Sequence, residues 1–203
     1  MNRPSDPYVI PWTGENTSVA PVRVTPAGVA YADPVLDALQ RDLDYVLWDV
    51  CGGTATGRPA YTAELHPERQ RTAMEGFLCA ACKKPAARDR RGMAWVLPLP
   101  QNGPGCTRWE NVRTEIPPMC TGCVKTVPRR CPRLRAGHVE LRVRQAERIG
   151  VRGTLHPRPA TPGLRAERGV LVLDDSPDLP FVVARQVIRE LREVTVVSLA
   201  ATV

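Results

Sequence analysis

The sequence predicts an α+β fold with short elements, and three observations carry that prediction. Two CxxC pairs, Cys79-Ala-Ala-Cys82 and Cys120-Thr-Gly-Cys123, sit in the middle of the chain. Residues 139–144 alternate strictly between apolar and charged side chains, the period of a half-buried strand. The 203 residues include 21 prolines and 15 glycines, which favours loops and short elements over a helical bundle. With 43% hydrophobic residues the chain can bury a core, and with only 5% aromatics that core should consist mainly of Val, Leu and Ala.

The elements follow in order. Residues 1–30 carry five prolines and read as a loose lead-in with extended pieces at 8–12 and 19–24. Residues 34–43 read as a short helix with Leu36, Leu39 and Leu43 on one side. Residues 45–51 have strand character that Gly52-Gly53 ends, and 59–65 is a second extended piece. His66-Pro67-Glu68 opens a helix, since proline suits the first turn. Ala73, Met74, Phe77 and Leu78 keep helical spacing and lead the chain to Cys79. Residues 88–92 form a polar turn, 93–97 a strand, and 98–118 a long loop with a return strand at 109–112. A short helix starts at Cys120 or just after it and stops before Pro128 or Pro132. Beyond the 139–144 strand, 151–156 and 170–173 read as strands. Ser176-Pro177-Asp178 reads as the N-terminus of a helix whose stripe is Phe181, Val182, Ala184, Val187, Ile188 and Leu191. Residues 194–199 close with a strand, and no internal repeat is present.

Four thiolates in two such pairs are the donor set of a closed tetrahedral Zn²⁺ site, so Cys79, Cys82, Cys120 and Cys123 are the candidate ligands. Four protein sulfurs leave no open position for a reactive water, so this zinc is structural. The order of first knuckle, β-hairpin and second knuckle on a helix start is that of a treble clef. The expected architecture is therefore a treble-clef-like zinc module embedded in a mixed α/β single unit. An N-terminal extended/β segment covers 1–65, the zinc-binding module 66–135, and a C-terminal β-α-β segment 136–203. Cys51 reads as a core thiol and Cys106 as an exposed thiol of the long loop. Cys131 reads as a buried thiol, with ligand exchange as the alternative.

Charge is uneven. Residues 1–65 hold 4 Lys/Arg against 8 Asp/Glu, and residues 66–150 hold 17 against 7. Arg88, Arg90, Arg91, Arg129, Arg130, Arg133, Arg135, Arg142 and Arg144 form the densest basic set and are candidate phosphate contacts for DNA or RNA. Lys83, Lys84 and Lys125 are the only lysines, and this arginine bias, with abundant Ala, Pro and Val, also fits a high-GC genome and a merely solvated basic face. The start of the chain has no signal-peptide pattern, and its longest apolar run, 194–203, is too short to span a bilayer. The expected location is the cytoplasm, where thiols stay reduced and cysteines serve metals rather than disulfides.

The motifs Tyr8-Val9-Ile10-Pro11-Trp12-Thr13-Gly14-Glu15, His66-Pro67-Glu68-Arg69-Gln70, both CxxC pairs, Cys131-Pro132-x-Leu134 and residues 179–191 are similar to a family of actinobacterial, Streptomyces-type four-cysteine proteins. That resemblance spans nearly the whole chain and implies zinc binding and one cooperative unit; it brings no activity with it. Residues 79–131 also resemble the treble clef of HNH nucleases. Those enzymes place a catalytic histidine between the cysteine pairs, whereas residues 83–119 contain none. The chain's histidines are His66, His138 and His156. The sequence thus supports a zinc-stabilised, non-enzymatic nucleic-acid-binding or regulatory protein. A protein-interaction adaptor with the same zinc is one alternative, and a diverged HNH-like nuclease or other enzyme using His66 or His138 is another.

Overall fold

A computed structural model of the chain describes residues 7–17, 20–99, 109–159 and 165–201. Its elements in order are β1 (Glu15–Thr17), β2 (Val22–Thr25), β3 (Gly28–Tyr31), α1 (Pro34–Leu39), β4 (Leu47–Trp48), β5 (Cys51–Gly53), α2 (Pro67–Glu75), β6 (Arg88–Asp89), β7 (Gly92–Pro98), β8 (Val112–Thr114), α3 (Thr121–Thr126), α4 (Pro132–Arg135), β9 (Gly137–Leu155), β10 (Glu167–Leu173) and β11 (Val182–Ala201). The fold is mixed α and β, with few helices and one seven-stranded sheet.

Two long strands, β9 and β11, pair antiparallel along nearly their whole length and form the spine. At one end, the first half of β9 accepts β7, which in turn pairs with β6. At the other end, the second half of β9 accepts β10. The predicted alternation of 139–144 is present: Val139, Leu141 and Val143 are buried against Met93, Trp95 and Leu97. β7 is covered on both faces, because Val96 points the opposite way and packs with Ile10, Ala80 and Met119. Gly153 lies so close to β11 that a Cβ there would collide with the Val183 carbonyl.

The helix expected over 178–191 is not formed. Leu179–Phe181 makes one 3₁₀ turn, and β11 begins at Val182. The capping signal is real, since the Asp178 N–H donates to Ser176 Oγ at 3.2 Å. The run Val182, Val183, Val187 and Ile188 then favours a strand, because β-branched side chains lose rotamer freedom in a helix. The apparent helical spacing comes from a bulge: the pairing register shifts between Ala184 and Gln186, with Arg185 as the extra residue on β11. That residue turns the later side chains to the other face, so an apolar set with a period of two imitates one of 3.6. Among the other expected elements, α2 and α3 are present at the expected places. The helix at 34–43 ends at Leu39, the strand over 45–51 is divided into β4 and β5, and no strand forms at 59–65.

The free edge of β11 is closed in three pieces. β4 runs parallel to it at Val183 and Ala184, and β8 runs antiparallel at 189–191. In the gap between them, fully buried Gln70 of α2 behaves like a strand residue. Its Oε1 accepts from the Val187 N–H at 3.0 Å, and its Nε2 donates to the Val187 carbonyl at 2.9 Å and to the Glu115 carbonyl at 2.7 Å. Replacing it by an apolar side chain leaves buried backbone groups without partners, at about 1–3 kcal/mol each. Gln70→Leu is therefore expected to destabilise the protein by roughly 3 kcal/mol or more, measured by urea denaturation. A loss below about 1 kcal/mol would mean that this edge is closed by something else.

Candidate metal centre

The first knuckle is a tight turn placed by α2. His66 caps the helix N-terminus, Pro67 occupies its first turn, and Gly76 follows its last. Phe77 and Lys83 adopt left-handed backbone angles, φ 49° and 61°, on either side of the turn. Within it the Cys79 N–H donates to Lys84 O at 2.7 Å, and the Lys83 N–H donates to Cys79 O at 3.0 Å. The N-terminal segment fastens it from outside through Tyr8 N–H to Ala81 O and Val9 N–H to Ala80 O. The second knuckle spans the start of α3: Cys120 is the residue before the helix, and Cys123 lies in its first turn. The two knuckles meet through Ala80 N–H to Pro118 O at 2.9 Å.

This brings Cys79, Cys82, Cys120 and Cys123 together with all four sulfurs within 4.8 Å of one another. Cys82 Sγ and Cys120 Sγ are 3.5 Å apart. A tetrahedral ion with sulfurs at ~2.3 Å needs sulfur–sulfur edges of about 3.8 Å, so this donor set fits a thiolate-bound metal ion. Cys79 is fully buried, Cys82 is exposed, and the other two are half-buried. Burial pushes the Cys79 and Cys123 thiols up. At Cys120 burial acts the same way, but hydrogen bonds from the Cys123 N–H and the neighbouring thiols outweigh it and bring the group to about 7.

The remaining cysteines stay outside the cluster. Cys131 is buried among Val127, Leu134 and Met119. Cys51 is half-buried at the start of β5, where burial raises its thiol. Cys106 lies outside the described residues.

The candidate arginines divide into two groups. Arg88, Arg90, Arg91, Arg142 and Arg144 gather at the β6–β7 turn and the adjoining part of β9. There Arg142 is held by Asp89 at 3.2 Å and Glu140 at 2.9 Å, Arg91 reaches Asp89 at 3.1 Å, and Arg144 lies 3.7 Å from Glu193. Hydrogen bonds from the Arg91 side chain and N–H hold the Asp89 carboxyl down at about 2. Arg133 is also structural, donating to Tyr61 O at 2.8 Å and Ala63 O at 2.6 Å. Arg88, Arg90, Arg129 and Arg130 are exposed, and no carboxylate among the described residues pairs with them. Arg135 is exposed too. Charge and spacing along the chain do not tell these roles apart, because they depend on contacts such as Arg142 with Asp89 and Arg133 with the Tyr61 carbonyl, between residues far apart in sequence.

The histidines stand apart. His66 Nδ1 accepts from the Arg69 N–H at 3.4 Å, and its Nε2 is 3.8 Å from Glu15 Oε1. Burial and the Arg69 charge hold its pKa below the ordinary value. Glu15 itself is fixed by Arg69 at 2.5 Å and the Trp12 N–H at 2.8 Å, a buried network that sequence reasoning missed. His138 Nδ1 lies 3.1 Å from Leu134 O. His156, just past β9, has its pKa lowered by burial.

Comparison with known protein families, with curated proteins and with solved structures finds no match. Among the described residues no helix is long and apolar enough to cross a membrane.

Metal binding contributes folding energy where a small module is built around the ion, on the order of 10 kcal/mol in zinc-finger peptides. One equivalent of metal per chain is expected by elemental analysis. Cys79→Ser or Cys120→Ser should lose it and lower the thermal unfolding midpoint sharply. Either variant at full stability without metal would show that the thiols hold no structural ion.

Proposed function

We propose that this chain is a cytoplasmic, zinc-stabilised and non-enzymatic protein that binds DNA or RNA through phosphate contacts. In this reading Zn²⁺ sits on Cys79, Cys82, Cys120 and Cys123, and the module is a treble clef of HNH-like plan without its catalytic histidines. The chain would belong with the actinobacterial four-cysteine proteins it resembles. One observation carries the reading: Arg88, Arg90, Lys125, Arg129 and Arg130 are exposed on the module without a carboxylate partner among the described residues. Arg142, Arg148, Arg185 and Arg192, by contrast, are neutralised in place by carboxylates. Unpaired guanidinium groups keep their full attraction for phosphate. An enzymatic role for His66 has less support, since both its ring nitrogens already face Arg69 and Glu15.

A second reading, a protein-interaction adaptor, is favoured by a different observation. Val35, Leu39, Leu43 and Tyr45 are 66, 73, 98 and 79% exposed in and just after α1. Exposed apolar patches mark partner-binding surfaces, and these four side chains fall within 35–45 of the sequence.

Fluorescence anisotropy with labelled duplex and single-stranded DNA and RNA across a salt series tests the first reading. Each phosphate contact adds about 0.9 to the log–log salt slope on duplex DNA. Joint replacement of Arg88, Arg90, Arg129 and Arg130 by Ala should lower that slope by up to about 4 and weaken binding at every sequence. Arg142→Ala should leave the slope nearly unchanged. Absence of binding at low salt would overturn the reading in favour of the adaptor.

A further inference from the structure

At the end of the sheet away from the β6–β7 turn, a cleft of about 420 Å³ opens between the β2–β3 hairpin and the ends of β9, β10 and β11. The pairing register sets its floor. Thr154 of β9 stands opposite Arg168 of β10 and opposite Val183 of β11, and Val183 stands opposite Leu47 of β4. Residues directly opposite one another project from the same face. The row therefore reads Arg168, Thr154, Val183, Leu47 across the sheet. The β2–β3 hairpin covers only the apolar half of it, where Leu47 and Val183 pack with Val29 and Tyr31. The polar half, Thr154 and Arg168, is left lining the cleft, with His156 beside it.

The hydrogen-bonding groups on this side are unspent. The Thr154 hydroxyl, the His156 ring and the Arg168 guanidinium make no hydrogen bond or ion pair with any described residue. The other charged lining groups are already matched: Arg185 bridges Asp49 at 3.2 Å and Glu64 at 2.9 Å. Arg168 acts on Asp49 only through space and keeps its guanidinium N–H groups free of described partners, so it is the cation of the cleft open to a ligand. Pro21 and Val22, at the hairpin, supply an apolar wall, and Val183 adds an apolar edge to the floor beside Thr154. A concave site with an apolar wall and a few converging polar groups is the usual form of a small-molecule site, and its volume lies in that range.

We propose that this cleft binds a small organic anion, a carboxylate or phosphate monoester on a flat apolar body. Arg168 takes the oxyanion, Thr154 and His156 hydrogen-bond it, and the body lies against Pro21, Val22 and Val183. Burial, which lowers the pKa of His156, keeps the ring neutral near pH 7, able both to donate and to accept. The inference is independent of nucleic-acid binding by the metal module and does not fall with it.

Phenyl phosphate and benzoate are suitable probes, with benzamide as the neutral control. Titration of the full, metal-loaded chain, followed by amide and side-chain NMR shifts, should show saturable changes centred on Thr154, His156 and Arg168. Benzamide should bind at least tenfold more weakly than benzoate. Arg168→Ala should weaken both anions tenfold or more with the fold intact, whereas Arg91→Ala, on the β6–β7 turn, should not. No saturable shift up to about 10 mM of either anion, beyond the weakest specific affinities, would overturn the proposal. So would equal binding of benzamide, or an Arg168→Ala protein that binds as before. Preference for phenyl phosphate over benzoate would assign the natural ligand to phosphate monoesters, and the reverse to carboxylates.

Discussion

Strand β11 has one edge on β9 and another that no single strand covers, and the arrangement of the whole molecule follows from how that second edge is closed. Backbone N–H and C=O groups buried without partners cost too much to persist. β4 and β8 satisfy the two ends of the stretch, and the carboxamide of Gln70 satisfies Val187 between them. Because Gln70 belongs to α2, the same bonds fix that helix on the sheet, with Met74 packed against Val151 and Val187. Arg189 adds a bond from β11 to the Met74 carbonyl near the end of the helix, 3.1 Å from its Nε. The helix then has one direction in which to release the chain, and Cys79 follows four residues after its end. The position of the four-cysteine cluster is set by a hydrogen-bonding need of the sheet.

Ion pairing sorts the arginines on the same physical basis. Those on strand interiors are half-buried and meet carboxylates of the same sheet, as Arg142 does with Asp89 of β6 and Glu140 of its own strand. A guanidinium in that position cannot be left unmatched without a desolvation cost. Arginines beyond the strand ends, such as Arg129 and Arg130 after α3, are exposed and carry no such requirement. Net charge therefore overstates what is available to a partner. The basic excess of residues 66–150 is real, but part of it is internal wiring.

The parts of this fold legible in the sequence were those whose signal is local. The four cysteines declare themselves by spacing, α2 by His66-Pro67 and its apolar repeat, and the first half of β9 by its alternation. The middle of β9 and the first half of β11 were harder, because an extra residue at Arg185 on β11 and another at Ile149 on β9 break the period on which a strand is recognised. Ser176 and Pro177 then offered a helix start that the chain does begin, as a 3₁₀ turn, and abandons at Val182. Gln70 was invisible as a structural residue. A glutamine on a helix reads as solvent-facing until the strand edge beneath it is known. The cleft residues share this property: Thr154 and Arg168 are ordinary side chains in sequence and become neighbours only through the register of β9 with β10.

The elements around the four thiols are too short to hold themselves. α3 has six residues, α4 four, and β6 two, all below the length at which a helix or strand persists alone. The apolar cluster beside them counts Cys79, Cys120 and Cys123 among its members. A cross-link at the sulfurs would tie these short elements to one another. Four thiolates around a divalent ion would also carry about −2, set among Lys84, Arg88, Lys125 and Arg129. That charge would offset the mutual repulsion of cations that have no carboxylate to pair with. The ion would hold the module in shape and, through its ligands, make an unpaired basic surface tolerable.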